Sequence, residues 1–122
     1  MTVSLVGPRA TYVQTAHLDT GSDDSVFSEL VAQRVGIDLS HAPQGHAVGV
    51  GSGPILLRYA QVTLRVSQGT ERREWSAWVG FTPVSLRRPL LGFAGFLQFF
   101  TATFRGDLEE VELAANSLYP GT

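Results

Sequence analysis

Cysteine is absent, which removes disulfides, thiolate zinc sites, iron–sulfur clusters and a cysteine nucleophile together. That absence carries no message about compartment, since a cysteine-free chain is stable in either redox state. Lysine is absent too, so all nine basic residues are arginine. A Walker A loop, a Schiff base and a lysine general base are therefore excluded. Charge is scarce at 16% and nets to −2, so no basic face advertises nucleic acid or an anionic membrane. Long apolar runs are missing: the densest, Phe93–Phe100, is far too short to span a bilayer. The opening MTVSLVGPRA has neither a charged leader nor an apolar stretch of signal-peptide length. A soluble, cytoplasmic protein is expected. What remains is a chain of 122 residues, 43% of them hydrophobic. That suffices to bury a core unaided, so residues 1–122 read as one domain.

The patterning has mostly period 2, which predicts an all-β fold of mainly antiparallel strands. Thr11–Leu18 reads as a strand with two inhabited faces. Val62, Leu64 and Val66 alternate with polar neighbours, and Trp75, Ala77 and Val79 alternate with Ser76 and Trp78. Thr101–Arg105 and Glu109–Leu113 flank Gly106-Asp107 and read as a hairpin. Two short helices are predicted. Ser28 caps Glu29–Val35 with Gly36 past its end. Phe93, Phe96, Leu97 and Phe100 fall at helical spacing in the second. The stretch from Ser40 to Pro54 reads as loop, the Arg72-Arg73 and Arg87-Arg88 pairs as solvated turns. Trp75, Trp78 and the phenylalanines from Phe93 to Phe104 read as core.

The segment that carries chemistry is Leu18-Asp19-Thr20-Gly21-Ser22-Asp23-Asp24. It follows a strand that ends on an apolar residue, and Gly21 allows a turn that a side chain would obstruct. A carboxylate held at such a strand end is fixed in direction, so Asp19 is a candidate acid/base group. All these residues also form ordinary turns, and taken alone the segment reads as a plain loop as well.

The loop resembles the Asp-Thr-Gly-Ala/Ser active-site loop of the retropepsin-like aspartic proteases, the family of retroviral proteases and their cellular relatives. Further segments follow in the family's order. Val48–Gly53 (VGVGSG) lies where those enzymes place a flap hairpin over the cleft, and Ala60–Val66 is the strand after it. Pro89-Leu90-Leu91-Gly92 resembles the apolar-apolar-Gly element, with Phe93–Phe99 in place of its short helix. The likeness runs from about Tyr12 to Leu113. Retroviral members usually carry Arg after the Leu-Gly pair; here Phe93 stands there, and the pattern looks closer to the retroviral-protease-like domains of ubiquitin shuttle proteins and their bacterial relatives.

The resemblance implies an aspartic endopeptidase in which two aspartates share a proton and activate one water, with no metal and no cofactor. The chain holds a single DTG, so the implied enzyme is a homodimer in which Asp19 of each copy meets across a two-fold axis. It further implies that Thr20 locks the two loops together and that Gly21 and Asp23 accept from the backbone of a polypeptide substrate. Ser22, Asp24 and the flap residues Val50, Gly51 and Ser52 complete the expected substrate contacts. The Ser22 hydroxyl is expected to donate toward Asp19, which would favour the ionised carboxylate. Neither nucleic acid nor a membrane is an expected partner.

Other constellations point to less. Gly49–Gly53 would need glycine at 54 for a dinucleotide loop, and Pro54 stands there. His17, His41 and His46 are scattered and show no metal-ligand spacing; His46 falls beside the flap. No G-x-S-x-G elbow offers a serine nucleophile. Two rival readings stand beside the protease: a catalytically silent dimerisation or peptide-binding module on the same fold, and an unrelated small β-barrel binding protein in which DTGS is a chance turn.

Overall fold

The computed structural model describes residues 1–48 and 53–122. Along the chain run β1 (Thr2–Val6), β2 (Thr11–Thr15), β3 (His17–Leu18), β4 (Val26–Ser28), α1 (Glu29–Val35), β5 (Gln44–Val48), β6 (Pro54–Gln68), β7 (Glu71–Thr82), β8 (Leu90–Leu91), β9 (Phe100–Arg105) and β10 (Glu110–Ala115). Strands hold 53% of the residues and helix 11%, which makes the fold all-β. One curled sheet has the order β2-β1-β6-β7-β4-β8-β3, with β5 paired to the first part of β6; β9 and β10 form a separate hairpin.

The period-2 stretches fold as strands for the expected reason: one face is apolar and goes inward. Val62, Leu64, Trp75, Ala77 and Val79 are buried against Val3 and Leu5 of β1 and against Phe27, Val31 and Val35. Each fully buried Val, Leu or Phe side chain contributes about 1.5–3 kcal/mol. The β6–β7 ladder runs from Arg58↔Phe81 to Gln68↔Glu71 and closes on Gly69, whose φ of 61° suits a tight hairpin turn. Helix α1 has its predicted bounds. The Ser28 hydroxyl accepts from Leu30 N–H, and Gly36 ends the helix at φ 87°.

Several expectations need correction. The strand predicted over Thr11–Leu18 divides at the buried Ala16, so β2 pairs with β1 while β3 pairs in parallel with β8. Gln44–Val48, read as loop, is strand β5, held by β6 in the register Gln44↔Arg58 to Val48↔Pro54. The helix predicted over Phe93–Phe100 shrinks to a 3₁₀ turn at Leu97–Phe99. Its spacing fits a helix, but Gly95 sits at φ 86° with its carbonyl taken by the Trp75 indole N–H at 2.8 Å. Phe96 and Phe100 still reach the core, 5.6 and 5.3 Å from the Trp75 ring. Phe93 (58% exposed), Phe104 and Trp78 do not. Trp78 lies on the face of β7 opposite Trp75 and stacks on Tyr59 at 6.1 Å. Arg72 and Arg73 lie within β7 and not in a turn; Arg87 and Arg88 lie in the exposed loop between β7 and β8.

Candidate active site

Two loops from opposite ends of the chain interlock around Asp19. The first runs from Asp19 to Ser25 between β3 and β4, and the second from Gly92 to Phe96 after β8. Parallel pairing of His17↔Leu90 and Leu18↔Leu91 brings them together. Main-chain bonds continue that pairing past the strand ends: Asp19 N–H donates to Leu91 O at 3.0 Å, Phe93 N–H to Ser22 O and Ala94 N–H to Asp23 O, both at 2.9 Å. Asp24 forms a parallel bridge with Ala94. Gly92 is buried at the crossing, where a Cβ would collide with the carbonyl oxygens of Ser22 and Asp24. Glycine is therefore needed here for close approach.

Ser25 is the pin between the loops. It is fully buried, accepts from Gly92 N–H at 3.1 Å and donates to Ala94 O at 2.8 Å. Its own carbonyl takes Gly80 N–H of β7 at 2.9 Å. The sequence reading missed Ser25. It stands just before β4, and its role is set by partners distant in sequence, Gly92 and Ala94.

Asp19 is half-buried, and its Oδ1 accepts from Gly21 N–H at 2.9 Å. Gly21 does not occupy the left-handed region; the described glycines that do are Gly36, Gly69 and Gly95. A Cβ at Gly21 would stand 3.4 Å from Asp19 Oδ1. That is an ordinary van der Waals contact, so the expected obstruction of the turn by a side chain is not found. Thr20 and Gly21 are exposed at the turn, as is Asp23. The Ser22 hydroxyl points away from Asp19: it donates to Asp24 O at 2.7 Å, so the expected bond to the carboxylate is not made.

Asp24 faces outward from this crossing to a second cluster. Its Oδ2 accepts from the Tyr59 hydroxyl at 3.2 Å, and the Tyr59 ring lies against Gly45 and Trp78. Burial, reinforced by the Asp24 charge and hydrogen bond, pushes the Tyr59 phenol above its ordinary value. Nothing in the sequence pattern pairs Tyr59 with Asp24, because the contact depends on the β6–β7 and β7–β4 registers, in which Gly80 pairs with both Tyr59 and Val26.

Strands β5 and β6 lead to residues 49–52; the expected flap contacts Val50, Gly51 and Ser52 lie outside the described residues. His46 is exposed on β5, opposite Leu56. Among the described residues no group of three His, Asp or Glu side chains is close enough to hold a metal ion. No helix among them is long and apolar enough to cross a membrane. A cavity of about 380 Å³ lies at the start of the β3–β8 pairing, lined by His17, Arg87, Arg88 and Leu90. A larger hollow of about 600 Å³ lies elsewhere, between Gly7-Pro8, Gly36–Asp38 and Gln61–Thr63. Its one lining carboxylate, Asp38, is held low by the Ser40 N–H and hydroxyl. With no second acid/base group in that lining, it is the poorer candidate for chemistry. No protein family, curated protein or solved structure was found to match the chain.

Proposed function

We propose that this chain is a retropepsin-like aspartic endopeptidase of the cytoplasm, active as a C2 homodimer. The observation that supports it most is the interlock: Asp19 stands at a strand end with its main-chain N–H bonded to Leu91 O and its carboxylate to Gly21 N–H, and the neighbouring Gly92 and Phe93 are latched to the same loop. General acid/base chemistry depends first on geometry, and this frame fixes where the Asp19 carboxylate stands.

One copy supplies one such carboxylate, so hydrolysis needs the Asp19 of a second copy. Two carboxylates about 3 Å apart cannot both ionise, and the pair keeps one proton between them. The ionised aspartate takes a proton from a water. The water oxygen bonds to the scissile carbonyl carbon while the protonated aspartate donates to the carbonyl oxygen. Collapse of the resulting diol breaks the C–N bond, and the leaving nitrogen receives a proton from the pair. The apparent pKa values belong to the dyad and not to either residue. The scheme requires no metal, cofactor or covalent intermediate. The peptide lies extended along the cleft, where Gly21 and Asp23 offer acceptors to its backbone.

The test is cleavage of unfolded protein and of a peptide library at acid and neutral pH, with Asp19→Asn beside the wild type. The amide is nearly isosteric but cannot act as a base, so turnover is expected to fall by about 10²–10⁴-fold with an unchanged circular dichroism spectrum. A variant that keeps most of its turnover removes Asp19 from the chemistry. Peptide binding without cleavage by either protein turns the reading to a catalytically silent dimerisation or peptide-binding module.

A further inference from the structure

A cavity where β3 pairs with β8, two residues before Asp19 along the chain, is lined by three basic residues, His17, Arg87 and Arg88, and by Leu90. Its position follows from the fold. His17 lies two places before Asp19 on β3, paired with Leu90 on β8, and its N–H donates to Pro89 O at 2.8 Å. The loop that carries the arginines is tied at both ends. Val84 N–H donates to the Thr82 hydroxyl at 3.2 Å, and Thr82 and Pro89 are buried. The two arginines are thus carried on an anchored loop that leads into β8, the strand paired with the one that ends at Asp19.

These arginines differ from most others in the chain. Arg58, Arg65, Arg72 and Arg105 each pair with a carboxylate. Arg34 and Arg73 lie over tyrosine rings. Among the described residues, Arg87 and Arg88 have neither kind of partner, and no carboxylate lies within ion-pair distance of His17. Acidic residues outnumber arginines, 11 to 9, yet none neutralises this site. A forked guanidinium binds a carboxylate or phosphoryl group through two parallel hydrogen bonds. Leu90 supplies an apolar wall for the methylenes that carry such a group. The volume, about 380 Å³, is small among ligand cavities of roughly 300–1,000 Å³ and fits one side chain better than a whole cofactor.

The geometry points to a subsite for an anionic peptide side chain, a carboxylate or a phosphoryl group, on the residue bound next to Asp19. The inference deepens the endopeptidase reading and rests on it for the chemistry, though its binding half is tested without cleavage. Arg87 and Arg88 select the charge, and Leu90 packs the stem.

The experiment uses one peptide scaffold with Glu, Asp, phosphoserine, Ala or Lys at a single varied position, scanned along the peptide. Cleavage is measured with the wild type and with the Arg87→Glu/Arg88→Glu double variant. Binding of the same labelled peptides is measured by fluorescence anisotropy on Asp19→Asn. Both arginines are exposed, and thermal melts check that the double variant folds; Arg87→Gln/Arg88→Gln is the fallback. At one position, anionic peptides are expected to exceed the Ala peptide in kcat/KM by about tenfold or more, and Lys to be poorest. The double variant is expected to reverse that order. A phosphoserine peptide well above Glu assigns the site to phosphoryl groups, and the reverse assigns it to carboxylates. Cleavage with no anionic preference, or a preference that survives the double variant, overturns the subsite and leaves the endopeptidase reading intact. If nothing is cleaved, the endopeptidase reading fails and binding decides. Tighter binding of anionic peptides, lost in Arg87→Glu/Arg88→Glu on the Asp19→Asn background, supports the subsite; equal or absent binding overturns it.

Discussion

The Ser25 hydroxyl is fully buried between two loops, accepting from one and donating to the other. Ser25→Ala leaves the Gly92 N–H and the Ala94 carbonyl without that partner. The expected cost is about 1–3 kcal/mol of stability, read from urea denaturation. Turnover on a fixed peptide is expected to fall as well, because the same bonds register the loop that carries Asp19. A variant with unchanged stability removes Ser25 as the pin. At Tyr59 the sign of the pH effect is set by its raised phenol pKa, caused first by burial and then by the Asp24 carboxylate. The folded state holds this proton more tightly than the unfolded chain does. Its contribution is therefore complete below pH 10 and is lost as pH climbs through the raised folded value. Tyr59→Phe is expected to be less stable than the wild type near neutrality. That gap is expected to close above pH 10, where the unfolded wild-type tyrosine ionises and the phenylalanine does not. Thermal melts from pH 7 to 11 measure it, and a gap that stays constant or widens refutes the Asp24–Tyr59 linkage.

Among the elements, the crossing at Gly92 leaves no room for a side chain. A Cβ there meets two backbone carbonyls, and backbone cannot swing aside as a long side chain does. Gly92→Ala is expected to destabilise by at least the 1–3 kcal/mol typical of overpacking, by displacing the DTG loop from β8. Gly53→Ala, which meets nothing within 4 Å, serves as the comparison, and urea midpoints of the two decide. The turn after Leu18 was legible in the sequence because Asp-Thr-Gly-Ser is turn-forming. Helix α1 was legible because Ser28, Val31, Val35 and Gly36 state its start, face and end. The Phe93–Phe100 helix misled because its aromatic spacing satisfies two geometries; the left-handed Gly95 and its bond to Trp75 select the other. Trp78 misled for a similar reason. Composition says that a tryptophan belongs inside, whereas strand parity places it on the outer face with Tyr59. Ser25 and Tyr59 were not legible as site residues, since their roles depend on partners distant in sequence, Ala94 and Asp24.

At the scale of the whole molecule, the β9–β10 hairpin stands apart from the main sheet. A two-stranded sheet is marginal alone, and this one is tied down at its base. Asn116 N–H donates to Phe99 O, its side-chain amide to Gln98 O, and Tyr119 packs on Trp75 and Phe100. Farther out, Phe104 and Val111 face each other across the ladder while remaining 57% and 39% exposed, with Leu108 exposed at the turn. An apolar cross-strand pair left in water is a surface in need of a cover, and the proposed dyad already requires a second copy of this chain. Both demands are met if the hairpin carries the dimer contact. Each copy then supplies half of the catalytic pair, so dilution removes active sites as well as enzyme. Specific activity is expected to fall with dilution near the dimer dissociation constant, in step with the sedimentation coefficient. Phe104→Asp is expected to shift both curves to about tenfold or higher protein concentration, the effect of roughly 1.4 kcal/mol lost at the interface, while the monomer melts as before. Activity that stays flat on dilution through the monomer range sinks the shared site. Activity that falls on dilution but ignores Phe104→Asp keeps the shared site and moves the contact to another edge of the sheet.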